Sequence, residues 1–70
     1  MQEEFLASRL AELRIKKNVS AREMSLSLGL GRSYINSIEN QKAMPSMRTF
    51  FDICDYLNVT VQQFFDAGLK

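Results

Sequence analysis

The stretch Gly31-Arg32-Ser33-Tyr34-Ile35-Asn36-Ser37-Ile38-Glu39-Asn40 carries the side chains with the most chemistry to offer. Wound into a helix at about 100° per residue, it places Ile35 and Ile38 on one side. Arg32, Ser33, Asn36, Ser37 and Asn40 fall on the other. The apolar side is narrow and must be buried. The polar side is wide and rich in hydrogen-bonding groups, with one charge in it. Glu and Lys would serve an ordinary exposed face better, since both favour helix and solubility. Arg and Asn instead suit the edges of base pairs, Arg pairing with guanine and Asn with adenine. The plainer alternative is the solvated face of a structural helix, and this stretch alone does not separate the two.

Catalysis finds little to work with. The chain has no His and one Cys, so a metal site would lack ligands and no internal disulfide can form. No paired carboxylates sit on an evident cleft. Gly29-x-Gly31 is a lone fragment without the context of a phosphate loop. We expect no enzyme, no cofactor and no small-molecule ligand. A reducing, cytoplasmic setting fits the cysteine usage. No apolar run approaches the roughly 20 residues of a membrane span, and Met1-Gln2-Glu3-Glu4 opens with the wrong charge for a signal peptide.

Seventy residues are expected to make one domain, 1–70, with a modest core that needs well-packed helices or a partner chain. The net charge is only +1, but it is unevenly spread. Residues 1–13 carry net −2, residues 14–48 net +5 and residues 49–70 net −2. The positive segment contains the polar stretch described above, and a local basic patch draws a protein to phosphate.

Five short helices are expected to position that stretch, at about 3–17, 21–28, 32–40, 47–57 and 61–66. In the first, Leu6, Leu10 and Leu13 form one apolar stripe, extended by Phe5. Asn18 can end it in the left-handed conformation. Ser20-Ala21-Arg22-Glu23 is a capping box for the second, which faces Met24 and Leu28 inward and keeps Ser25 small for a close neighbour. Gly29 stops it, Leu30 plugs the turn, and Gly31 serves as N-cap of the third helix. Pro45 enforces a loop before it. Ser46 then caps a fourth helix whose apolar positions, Met47, Phe50, Phe51, Ile53, Cys54 and Leu57, suit a central core element. Cys54 reads as a small core residue. Asn58 repeats the left-handed stop, and Thr60-Val61-Gln62-Gln63 is a second capping box. The second and third helices, joined by Gly29-Leu30-Gly31, form a helix-turn-helix.

From Leu6 to Phe65 the sequence resembles the phage-repressor and Cro type of helix-turn-helix, the XRE family. The handiest markers are Leu10-Ala11-Glu12-Leu13-Arg14, Ser20-Ala21-Arg22-Glu23-Met24 and Gly29-Leu30-Gly31-Arg32-Ser33-Tyr34-Ile35. Ile38-Glu39-Asn40, Pro45-Ser46-Met47 and Leu57-Asn58-Val59-Thr60 follow in order. Three positions depart from the family's habit. Ala21 replaces a Gln that braces the DNA backbone and the recognition helix. Gly31 replaces a Ser or Thr at the start of that helix. Gln41 replaces a Gly that closes it, so the chain must either accept strain of about 1 kcal/mol or close the helix differently.

The resemblance implies an all-α, five-helix, lambda-repressor-like domain. It implies a sequence-specific regulator of double-stranded DNA, a repressor acting as a homodimer on an inverted-repeat operator. Arg32, Ser33, Asn36 and Ser37 match base-facing positions. Ser20, Ala21, Arg22, Tyr34, Asn40 and Lys42 match phosphate contacts, with packing beside Ile38 the alternative for Tyr34. Arg14 and Glu39 are implied as an ion pair between the first and third helices. In the last helix and tail, Phe64 is expected in the core, and Val61, Phe65 and Leu69 are candidates for a dimer interface. The competing reading is an antitoxin or adaptor that uses the same fold to bind a protein, and Ala21 is its best support.

Overall fold

Three helices begin where a hydroxyl takes up a free amide, and four end where a residue turns left-handed. The computed structural model describes residues 2–66. Its helices are α1 (Gln2–Lys17), α2 (Ala21–Ser27), α3 (Tyr34–Glu39), α4 (Met47–Leu57) and α5 (Val61–Phe65). Ser20, Ser46 and Thr60 accept from the backbone N–H three residues on, at 2.9, 3.2 and 3.0 Å. At Thr60 the box is reciprocal, because the Gln63 side chain accepts from the Thr60 amide at 2.9 Å. Ser20 caps one way.

One C-terminal device closes four helices. Asn18, Gly29, Gln41 and Asn58 all have φ between 62° and 75°. Each sends its own amide back three residues, and the following amide reaches back five: Val19 to Arg14, Leu30 to Ser25, Lys42 to Ser37 and Val59 to Cys54. This pattern satisfies carbonyls that the helix end leaves free. Gly adopts such a φ without strain and Asn with little, whereas Gln has no local hydrogen bond to offset the crowding of its Cβ. Gln41 therefore takes the strained route.

The core joins Leu6, Leu10 and Leu13 of α1 with Met24, Ile35, Ile38, Phe50, Ile53, Cys54, Leu57 and Phe64. α3 packs on both α1 and α2, and α4 packs on α1 and α5. Phe64 meets Phe50 edge-on at 5.0 Å, a favoured aromatic geometry. Cys54 lies within this core, and burial, followed by the Asp55 charge, pushes its thiol pKa up. Two residues assigned to the core from the pattern of α4 stay outside it. Met47 is 64% exposed and Phe51 49% exposed, because the molecule is too small to cover so broad an apolar arc.

Two arginines of α1 hold the shorter helices. Arg14 Nε donates to Glu39 Oε2 at 2.7 Å and Arg14 Nη2 to Glu39 Oε1 at 3.1 Å, a two-pronged pair between α1 and the end of α3. Arg14 Nη1 donates to Val19 O at 2.8 Å. The hydrogen bond to Glu39 raises the Arg14 pKa against the opposing effect of burial. Arg9 is nearly buried, and its Nε and Nη2 donate to the carbonyls of Phe64 at 2.6 Å and Gln63 at 2.9 Å. It caps the negative end of α5 and also meets Glu12 at 3.2 Å. Among the described residues, no buried side-chain N or O lacks a hydrogen-bond partner.

Two stability predictions result. Gln41→Gly should relieve the left-handed strain and stabilise the protein by about 1 kcal/mol, read as a higher urea midpoint at unchanged slope. A midpoint equal to or below the parent's rejects it. The Arg14 and Glu39 side chains are only 17% and 12% exposed, so Glu39→Ala strands a largely buried cation and should cost about 3 kcal/mol. Thermal melting within a degree or two of the parent would count against this.

Candidate nucleic-acid interface

The candidate surface is built around α3, whose Ile35 and Ile38 are fully buried. Burying that side leaves Arg32, Ser33 and Asn36 exposed, with Ser37 partly covered. Asn40 and Lys42 are also exposed, just beyond the helix. The structure thus brings Arg32, Ser33, Asn36, Asn40 and Lys42 to the solvent side of one short segment.

The α-helix begins two residues later than the sequence suggested, at Tyr34 rather than Arg32. Arg32 and Ser33 lie in a turn, closed by the Tyr34 amide donating to Gly31 O at 3.0 Å. Ser33, not Gly31, occupies the N-cap position of α3. Arg32 and Asn36 are therefore not two points on one helical wheel. Arg32 projects from the entering turn and Asn36 from the first turn of the helix itself. At the other end α3 stops at Glu39, with Asn40 as its C-cap.

The flanking positions divide by burial. Tyr34 is half-buried and packs against the core. Ala21 is also half-buried against the core and has no polar side-chain atom. Ser20 and Arg22 are exposed, and the Ser20 hydroxyl is engaged with the Glu23 amide. Lys17 sits 5.2 Å from the Tyr56 ring centroid, a cation–π contact that ties it to α4.

A second surface is apolar. Met44, Met47, Phe51, Val61 and Phe65 are all substantially exposed. Leu6, Met44, Pro45, Met47, Phe50 and Phe65 line a shallow groove among them. Phe65 stacks on Phe5 at 5.7 Å and leans on Phe50 at 5.7 Å. Of the three residues named for a dimer interface, Phe65 lines this groove, Val61 is exposed one helical turn before it on α5, and Leu69 falls outside the described residues. Sequence reasoning missed Arg9, which fixes the end of α5 and with it the placement of Phe65. Its signal was present: Arg9 sits three residues after Leu6 and four before Leu13, a charge on the apolar stripe.

Among the described residues, no group of His, Cys, Asp and Glu could hold a metal ion, and no helix is long and apolar enough to cross a membrane. Residues 10–64 match the family model described as helix-turn-helix. No curated protein matches significantly. Three solved structures are similar. The restriction-modification controller protein C.AhdI from Aeromonas hydrophila is 25% identical, with TM-score 0.82 over 90% of this chain and 91% of that one. The clp gene regulator ClgR from C. glutamicum is 22% identical, with TM-score 0.83 over 91% of this chain and 82% of that one. The hypothetical transcription factor NHTF from Neisseria is 22% identical, with TM-score 0.82 over 89% of this chain and 71% of that one. With the match spanning most of its length, the chain belongs to the helix-turn-helix family of the XRE type, a family of non-enzymatic DNA-binding regulators.

Proposed function

We propose that this protein is a sequence-specific regulator that binds double-stranded DNA as a homodimer on an inverted repeat and acts as a repressor. One observation carries the reading. The helix anchored through Ile35 and Ile38 and the turn that enters it leave Arg32, Ser33 and Asn36 exposed, residue types that can hydrogen-bond base edges, Ser and Asn being poor helix formers besides. Similarity to a restriction-modification controller and to a gene regulator supports it.

In the proposed pose the turn and first turn of α3 enter the major groove. Arg32 and Asn36 each reach a base edge, and Ser33 and Ser37 add shorter contacts. Lys42, in the loop beyond the helix, meets phosphate, as do Asn40, the Tyr34 hydroxyl and Arg22. Ser20 and Ala21 contribute main-chain contacts at the start of α2. Phosphate contacts set register and affinity, and base contacts set sequence.

A single unit reads few base pairs, and two-fold pairing doubles the contacts. The exposed apolar surface around Val61 and Phe65 is the proposed seam. Ala21, which offers no polar brace, favours the competing adaptor reading, so the decisive experiment is selection from random duplexes with the purified protein. Recovery of a consensus with two symmetric half-sites supports the proposal. Failure to enrich any sequence favours the adaptor.

Two further measurements follow from this assignment. Arg32→Ala and Asn36→Ala should each weaken the selected duplex far more than random DNA, by about 1–3 kcal/mol of discrimination. Lys42→Ala should weaken both alike and reduce the salt dependence by about one ion. An unchanged specificity ratio in both reader variants means that this helix is not the reader. Sedimentation equilibrium should give a dimer mass for the parent and a monomer mass for a folded Val61→Asp variant. A monomeric parent refutes the seam.

A further inference from the structure

The start of α3 has no cap of its own. Ser33 occupies the N-cap position with φ −102° and ψ 5°, and its hydroxyl accepts no hydrogen bond from the first turn. Gly31 before it has no side chain. A helix start leaves several amides without intrahelical partners. The Tyr34 amide turns back to Gly31 O. The next amide, of Ile35, is buried and needs an acceptor from elsewhere in the protein.

That acceptor belongs to another helix. Ser25 lies in the middle of α2 and is completely buried. Its Oγ accepts from the Ile35 amide at 3.0 Å. The Ser25 hydroxyl itself donates to Ala21 O, one turn back in α2, at 2.8 Å. The donation holds the hydroxyl proton inside α2, so a lone pair is left aimed at the start of α3. Alanine would fill nearly the same space but supply no acceptor.

We propose that Ser25 is a positioning residue for DNA reading: its hydroxyl caps α3 from α2, and so fixes where the helix begins and where Arg32, Ser33 and Asn36 stand. The inference rests on the DNA-binding reading given above and extends it to a residue that cannot reach DNA. The Ile35 amide lies directly between the reading side chains in sequence, with Ser33 before it and Asn36 after it. A helix of six residues has no distant turns to hold its start in place. Losing the hydrogen bond therefore lets the entering turn shift, and Arg32 moves with it. A small residue at position 25 allows close packing of the two helices; the hydroxyl adds an orientation to that packing.

The test compares Ser25→Ala with Ile53→Val, a control that loosens the shared core from α4 and leaves the Ser25–Ile35 hydrogen bond in place. Amide hydrogen exchange is followed on the free protein, and affinities are measured for the selected and random duplexes below melting. In Ser25→Ala, exchange at Ile35 should quicken by about tenfold relative to Ile38, and the selected-to-random affinity ratio should fall by about tenfold. Ile53→Val should change neither. Ser25→Cys keeps the shape and a weak acceptor. It should fall between parent and alanine on both readouts, and it serves as the test if the alanine variant does not fold. Unchanged relative exchange at Ile35, or an unchanged ratio in a folded variant, overturns the proposal. A parent that prefers no duplex would instead defeat the DNA reading, and the exchange data would still decide whether Ser25 holds the helix start.

Discussion

A helix of six residues cannot hold itself together in water. Helix nucleation is unfavourable, and isolated helices shorter than about 12–15 residues are marginal at best. α3 is that short, so its shape is imposed from outside. Ile35 and Ile38 sink its inner side into the core, Arg14 grips Glu39 at its end, and Ser25 takes up the Ile35 amide at its start. Because the surroundings supply the stability, the outer face is released from having to favour helix. Ser and Asn are poor helix formers, yet they can occupy that face. The chemistry of the surface is thus a consequence of how the helix is supported underneath.

The same problem recurs in α5, five residues long, and α1 answers both. With 16 residues α1 is the one helix long enough to act as a frame. Arg14 reaches from it to the end of α3, and Arg9 reaches from it to the last carbonyls of α5. Arginine suits the task, because its planar fork can satisfy several acceptors at once. Both guanidiniums are largely removed from water, and each has carboxylate or carbonyl oxygens in place of the lost hydration. Glu39 holds two prongs of Arg14, and Val19 O takes the third. The fold therefore depends less on apolar burial alone than a 70-residue chain with a small core would suggest.

What the sequence disclosed was what chain neighbours decide. Ser20, Ser46 and Thr60 cap amides three residues away, and Asn18, Gly29 and Asn58 close helices through their own φ. Those interactions span a few residues and leave a local pattern. The start of α3 was misplaced because its cap comes from Ser25, ten residues away on another helix, so no local pattern marks it. Arg9 did leave a local mark, a charge on the apolar stripe of α1, but its carbonyl partners lie 54 and 55 residues on, so the mark did not say what the charge holds. The breadth of α4 misled in another way. Periodicity shows which residues are apolar but not how much neighbouring surface exists to cover them, and Met47 and Phe51 are left out. At Gln41 two closures were open. The bond from the Lys42 amide to Ser37 O, 2.8 Å, is made with Gln41 left-handed, as at the three sister turns.

Charge placement bears on how such a surface would discriminate. The net charge of +1 arises from a segment of net +5 between two of net −2. A protein that is basic all over gains affinity for any DNA through counterion release, whatever the sequence. Here the exposed cations near α3 in the chain are Arg32 in the entering turn, Lys42 past its end and Arg22 on α2, with Lys16 on α1 and Arg48 on α4 also open to solvent. Lys17 is drawn to Tyr56, and Arg9 and Arg14 are committed inside the fold. On the proposed reading, sequence-independent attraction per protomer is therefore weak. Base contacts from Arg32 and Asn36 must then supply a large share of the binding, and two protomers must act together to bind tightly. A weak general attraction is itself useful to a regulator, because it limits occupancy of the many competing non-specific sites. On the proposed reading, the exposed apolar surface on α4 and α5 is where two such units would pair.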